Sequence, residues 1–136
     1  MNEAELKGKL VKRLRKDLAG SVVFRHEDQF TAGIPDISVT WNGLTCWIEV
    51  KHVTPKKPFK ATGLQIQTAK KLAKQGNCYI VVYHESKTGL LSTFIINPEK
   101  IVGNLEVEVF LAEGQGFDHG CVVEKMILVL DYDHGL

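Results

Sequence analysis

The segment Gly33-Ile34-Pro35-Asp36-Ile37-Ser38-Val39-Thr40-Trp41-Asn42-Gly43-Leu44-Thr45-Cys46-Trp47-Ile48-Glu49-Val50-Lys51 decides the fold. Asn42-Gly43 between two alternating runs is the strongest short-range hairpin signal, because a two-residue turn of the favoured hand needs positive φ at both positions. With that turn fixed, Trp41 pairs with Leu44, Val39 with Cys46, Ile37 with Ile48, and Asp36 with Glu49. Directly opposed residues of an antiparallel pair have Cβ atoms about 4.5 to 5.5 Å apart, so the two carboxylates face each other at a span that a shared cation bridges. The period of two puts Lys51 on the face of Glu49, while Cys46, Ile48 and Val50 point to the opposite, core face. Like charges directly opposed destabilise a sheet, so this pair calls for a counter-ion: Lys51 alone, or a metal.

Upstream, Leu6, Leu10, Leu14 and Leu18 recur every four residues with Val11 between them, which predicts a helix over 3–18 that stops at Ala19-Gly20. Positions 3, 7, 10 and 14 form one stripe, so Glu3 lies in line with Leu10 and Leu14, whereas Glu5 lines up with Lys9, Lys12 and Lys16 on the solvent side. A strand at about 21–26 follows, then a polar stretch with Glu27 and Asp28.

Downstream, Pro55 and Pro58 hold 52–62 as a loop. Thr62 is a candidate cap for a helix to about residue 75, ended by Gly76-Asn77. Gln65 shares a side of it with Ala69, Leu72 and Ala73 and so faces the protein, where it can bond a phosphate, a metal-bound water or a core carbonyl. Cys78 to Tyr83 is a continuous apolar run, which predicts an interior strand parallel to 44–51 after a crossover helix. Residues 91–96 are a further strand and Pro98-Glu99 starts a helical turn. Val107, Val109 and Leu111 alternate, 113–120 reads as a glycine-rich loop, and Val122 to Leu130 as a last strand, in a hairpin or a subunit contact surface. The whole is one α/β domain, with a mixed central sheet flanked by helices and a C-terminal elaboration at about 104–136.

Composition narrows the classes. The 136 residues, 44% hydrophobic, suffice for one core. No apolar run reaches the ~20 residues of a membrane span and the chain opens on charged residues, so the expectation is a soluble, cytoplasmic protein, without membrane partners. Cys46, Cys78 and Cys121 are too scattered for a disulfide framework or a thiolate zinc site. Net charge is only +1, yet 51–75 hold Lys51, Lys56, Lys57, Lys60, Lys70, Lys71 and Lys74 and no acid, while acids dominate after 99. Such a layout makes a local positive surface on a nearly neutral chain.

A phosphodiester resists hydrolysis because its charge repels the nucleophile and its alkoxide leaves poorly. Cations held by carboxylates address both. Mg²⁺ fits two carboxylates, since it prefers oxygen and keeps several waters. An ammonium of ordinary pKa near ~10.4 is a poor base, so the role of Lys51 is electrostatic, at the phosphate or the attacking water.

Gly33-Ile34-Pro35-Asp36, then Glu49-Val50-Lys51, then Gln65 resembles the signature of the PD-(D/E)xK nuclease superfamily, and more closely its VRR-NUC branch. The likeness covers about residues 3–83. It implies a restriction-endonuclease-like core and a DNA endonuclease dependent on Mg²⁺, with Mn²⁺ as substitute. It further implies that Asp36, Glu49 and the Val50 carbonyl are metal ligands, that Glu3 matches the branch's helix glutamate and acts through water, and that Lys51 and Gln65 complete the catalytic set. Stand-alone members resemble phage or prophage enzymes, some of them homodimers on four-way junctions. A homodimer on branched DNA in a bacterial or phage-infected cell is therefore expected. The alternatives are single-stranded, flap or duplex DNA as substrate, or an inactive DNA-binding module. Lys56, Lys57, Lys60 and Lys70 are the candidate backbone contacts. Trp41, Trp47 and Phe59 are aromatic candidates, with Trp47 read as packing under the first helix. Glu27 is either a second-line acid or a solvated loop residue, and His52 points away from Glu49.

Overall fold

The computed structural model describes residues 2–27, 33–60, 63–102, 106–107 and 117–131. Helix α1 (Glu3–Asp17) opens on Asn2, whose side chain accepts from the Glu5 amide, and it buries Leu6, Leu10, Val11 and Leu14. The repeat of leucines every fourth residue thus forms one apolar stripe on the helix. Strands β1 (Val22–Arg25), β2 (Ile37–Trp41) and β3 (Leu44–Val53) form an antiparallel meander. Asn42 and Gly43 both take positive φ, 54° and 78°, and the register runs from Trp41↔Leu44 to Ile37↔Ile48 as the turn dictates.

Helix α2 (Gly63–Gln75) then crosses over to β4 (Asn77–Glu85), which lies parallel to β3, and β5 (Leu91–Ile96) returns antiparallel. The sheet order is β1-β2-β3-β4-β5. A 3-10 turn at Pro98–Lys100 leads to the short pair β6 (Ile101–Val102) and β7 (Glu106–Val107).

Strand alternation sorts the core into two layers. On one face Cys46, Ile48, Val50, Val81 and Tyr83 pack with the leucines of α1 and with Val122, Val123, Met126 and Leu130. On the other, Ile80, Val82, Ile96 and Ile101 pack with Val53, Phe59 and Ile66 of the α2 side. Cys46 and Cys78 are buried thiols.

The C-terminal reading is corrected. Residues 122–130 are not a strand but part of helix α3 (His119–Leu130), and 119–120, assigned above to a loop, belong to its first turn. An apolar run of this length fits either a buried strand or a buried helix, and periodicity alone does not separate them. What selects the helix is its start: the Asp118 side chain accepts from the Cys121 amide, an N-cap. The buried set 122, 123, 126 and 130 then keeps one side against α1 and β3. Thr62, Asp28, Val109 and Leu111 lie outside the described residues. No described helix is long and apolar enough to cross a membrane.

Candidate active site

Strand β2 ends at Ile37 opposite Ile48, but β3 continues to Val53. Past Ile48 the β2-side edge of β3 has lost its strand partner, and backbone amides left unpaired in a half-buried place cost free energy. Two carboxylates take them up. Asp36 Oδ2 accepts from the Val50 amide at 2.9 Å, and Glu3 Oε1 accepts from the His52 amide at 3.1 Å. These are the alternate amides that face this edge. The Val50 carbonyl lies on it too, since the N–H and C=O of one strand residue point to the same side.

The turn before Asp36 packs closely on α2. Gly33 has φ +90°, and a Cβ there would stand 2.9 Å from Leu64 Cγ and 3.1 Å from Thr68 Oγ1. Only glycine satisfies both demands, so the Gly-Ile-Pro-Asp turn seats directly on the start of α2. The same helix presents Gln65, whose Oε1 accepts from Lys51 Nζ at 3.4 Å.

Asp36 and Glu49 lie close enough to shift each other's titration. Glu49 is only 4% exposed. Burial, then the hydrogen bond to Asp36 and its negative charge, push the Glu49 carboxyl up to about 9, against the opposing charges of Lys51 and Lys7. Burial also acts against ionised Asp36, but its bonds with Glu49, Lys7 and the Val50 amide outweigh that and hold it below its ordinary value. Near neutrality the pair therefore holds less negative charge than two free carboxylates would, with the charge favoured on Asp36. Two carboxyl groups forced together in this way are what a hard cation relieves.

Sequence reasoning missed Lys7. Its Nζ lies 2.8 Å from Asp36 Oδ1 and 3.8 Å from Glu3 Oε2. The stripe 3, 7, 10, 14 contained the signal, because any residue at position 7 sits one helical turn from Glu3 on the same side.

Among the described residues, no three His, Cys, Asp or Glu side chains converge as a metal-holding cluster. The donors present are the Asp36–Glu49 pair and the Val50 carbonyl, with Glu3 one lysine away. A donor set of two carboxylates fits Mg²⁺, which takes few protein oxygens and retains water, better than it fits a cation that needs an all-protein cage.

The lysines divide. Lys57 and Lys60 line a cleft of about 120 Å³ together with Glu3, Lys51 and His52. Lys56 lies on a separate recess with Glu85 and Lys87. Lys70 donates to the Ile101 carbonyl at 2.9 Å and so fastens α2 to β6.

Trp47 is corrected: its ring lies 5.2 Å from that of His26, which also bonds Ser38, on the face opposite to α1. The tryptophan beside the first helix is Trp41, whose Nε1 donates to the Ala19 carbonyl. Strand parity explains it, for Trp47 shares the face of Glu49 and Trp41 that of Leu44 and Cys46. Phe59 packs into the second core layer. Glu27 is paired with Arg25 at 2.8 Å. His52 turns to the other face, edge-on to Phe117.

No family model matches the chain, and no curated protein matches it. Among solved structures it is similar to Hjc, a Holliday junction resolvase of the archaeal hyperthermophile Archaeoglobus fulgidus. The identity is 16% and the TM-score 0.50, over 82% of this chain and 87% of that one. The class of protein is thereby one of fold: an α/β domain whose mixed sheet, flanked by helices, has the restriction-endonuclease-like arrangement.

Proposed function

We propose that this protein is a divalent-metal-dependent DNA endonuclease of the PD-(D/E)xK type, nearest in motif to the VRR-NUC branch. The observation that carries the reading is the meeting of Asp36, Glu49, Lys51 and Gln65 where β3 outruns β2. Asp36, Glu49 and the Val50 carbonyl would hold Mg²⁺ or Mn²⁺. A cation held there supplies counter-charge to the phosphate in the transition state.

The chain's own groups do the rest. Gln65 accepts from Lys51 and so holds the ammonium beside Glu49, ready to face a phosphate oxygen without the entropic cost of ordering a free lysine. Glu3 fixes the β3 edge through His52 and borders the cleft. Lys57 and Lys60 line the same cleft and offer backbone phosphates a positive wall, an attraction that weakens as salt rises.

Branched DNA is the preferred substrate in this reading, supported by the fold shared with a protein described as a Holliday junction resolvase. Paired cuts on such a substrate need two centres, so a homodimer acts. The test is a cleavage panel of four-way, flap, duplex and single-stranded DNA with and without Mg²⁺, with mass measured by light scattering at assay concentration. Cation-dependent cutting of the four-way substrate ahead of the others by a dimer is expected. No cutting of any DNA at saturating Mg²⁺ or Mn²⁺ would overturn the nuclease reading, and faster cutting of single strands by a monomer would overturn the branched-DNA part alone.

A further inference from the structure

Asp36 and Glu3, at the open edge of β3, each give one oxygen to the backbone and turn the other to the same ammonium, and Asp36 also neighbours Glu49. Asp36 uses Oδ2 for the Val50 amide and Oδ1 for Lys7; Glu3 uses Oε1 for the His52 amide and Oε2 for Lys7. All three side chains are largely withdrawn from solvent, at 17%, 25% and 18% exposure for Asp36, Glu3 and Lys7. An exposed lysine wanders, but one held between two fixed carboxylates is a positioned point charge with three donors.

We propose that Lys7 occupies the place of a second divalent cation, so that the centre binds one metal ion, on the Asp36–Glu49 side, with the Lys7 ammonium as its permanent neighbour between Asp36 and Glu3. The inference rests on the metal-nuclease reading and specifies it. Charge supports it: the Lys7 ammonium already offsets part of the negative charge that Asp36, Glu49 and Glu3 bring together, which favours one divalent ion over two. Two-metal sites need oxygen donors free on both sides of a shared carboxylate. Here the second side of Asp36 is already filled, which makes Lys7 a positioning residue and a determinant of metal count. Glu3 in turn serves Lys7 rather than a metal.

The experiment is Mn²⁺ titration by calorimetry and by the loss of free-ion paramagnetic resonance signal, without DNA, at fixed ionic strength, on the full chain. Wild type should take up one ion per chain. Lys7→Gln should take up two, and adding Glu3→Gln to it should return the count to one. Lys7→Arg, which keeps the charge, should remain at one, and Lys7→Met repeats the charge removal with a side chain of similar length should Lys7→Gln fold poorly, as judged by circular dichroism. Two ions in wild type, or one ion in both charge-removing variants, overturns the proposal and leaves the nuclease reading standing. No ion bound by any of them overturns both.

Discussion

The two halves of β3 carry the same alternating pattern and do opposite things. Residues 44–48 are paired on both edges, to β2 and, from Cys46 onward, to β4, and Ile48 is fully buried among the leucines of α1. Residues 49–53 keep β4 on one edge only, and side-chain carboxylates stand where a strand would have been. In the first half backbone pairing is complete and side chains serve the core. In the second, incomplete pairing draws Asp36 and Glu3 inward, and those acids gather Glu49 and Lys7. A strand that outlasts its neighbour is thus a way of concentrating charge at a defined edge.

The sharpest way to break this contrast is to substitute one residue from each half. Asp36→Asn and Glu49→Gln should lower cleavage by more than the roughly 10²-fold that loss of an outer-shell partner costs, with little loss of fold, since each keeps the size of the side chain and an oxygen that accepts hydrogen bonds. Ile48→Ala should do the reverse, costing about 2–5 kcal/mol in urea unfolding with metal affinity retained in the folded fraction. Equal loss of stability from all three would erase the distinction between the halves.

Lys51→Ala sharpens it further, because the variant should bind Mn²⁺ nearly as wild type yet turn over about 10²-fold more slowly. Gln65→Ala, which removes the acceptor that holds the lysine, should cost about tenfold. Single-turnover rates at saturating metal and DNA check both. A wild-type rate for Lys51→Ala would remove the lysine from the chemistry.

The cleft makes a smaller prediction. Replacing Lys57 and Lys60 together with Gln should weaken DNA binding across sequences and reduce the slope of log K against log salt by about two contacts, whereas Lys56→Gln and Lys70→Gln should leave it close to wild type. Fluorescence anisotropy at several salt concentrations measures the slopes, and equal effects from both sets would dissolve the distinction between cleft and non-cleft lysines.

The smallest effect concerns the opposite face. His119 bonds the Tyr83 hydroxyl at 2.7 Å, and burial, followed by the charges of Lys9 and Arg13 and against that of Asp118, holds its pKa below the ordinary value. A lowered pKa means that the unfolded chain takes up the proton first as pH falls. The stabilising contribution is therefore complete above about 6.5 and shrinks as pH drops from there toward the lower folded value. Between about pH 7.5 and 5, wild type should lose more stability than His119→Gln in urea unfolding. Parallel pH profiles for the two proteins would reject this.

Local sequence was sufficient for β2, its turn and β3, because Asn42-Gly43 admits one register and the period of two then decides every face; the expected Asp36–Glu49 pair falls one step past the ladder, where Asp36 takes the Val50 amide instead. It was sufficient for α1 and for the parallel return of β4, where an apolar run after a crossover helix has few places to go. The C-terminal apolar run was ambiguous in itself, and only the Asp118 cap and the vacant side of α1 and β3 made it a helix. Trp47 went to His26 because the strand's parity, rather than its size and apolarity, chose its neighbours. The place of Lys7 beside Glu3 was legible in helical periodicity, but its ion pair with Asp36 and the dual use of Asp36 and Glu3 belong to tertiary structure alone. They arise because β2 stops one residue short of Asp36 while the first turns of α1 reach Asp36 and the open amides of β3, a meeting of residues 29 to 49 positions apart in the chain that no periodicity records.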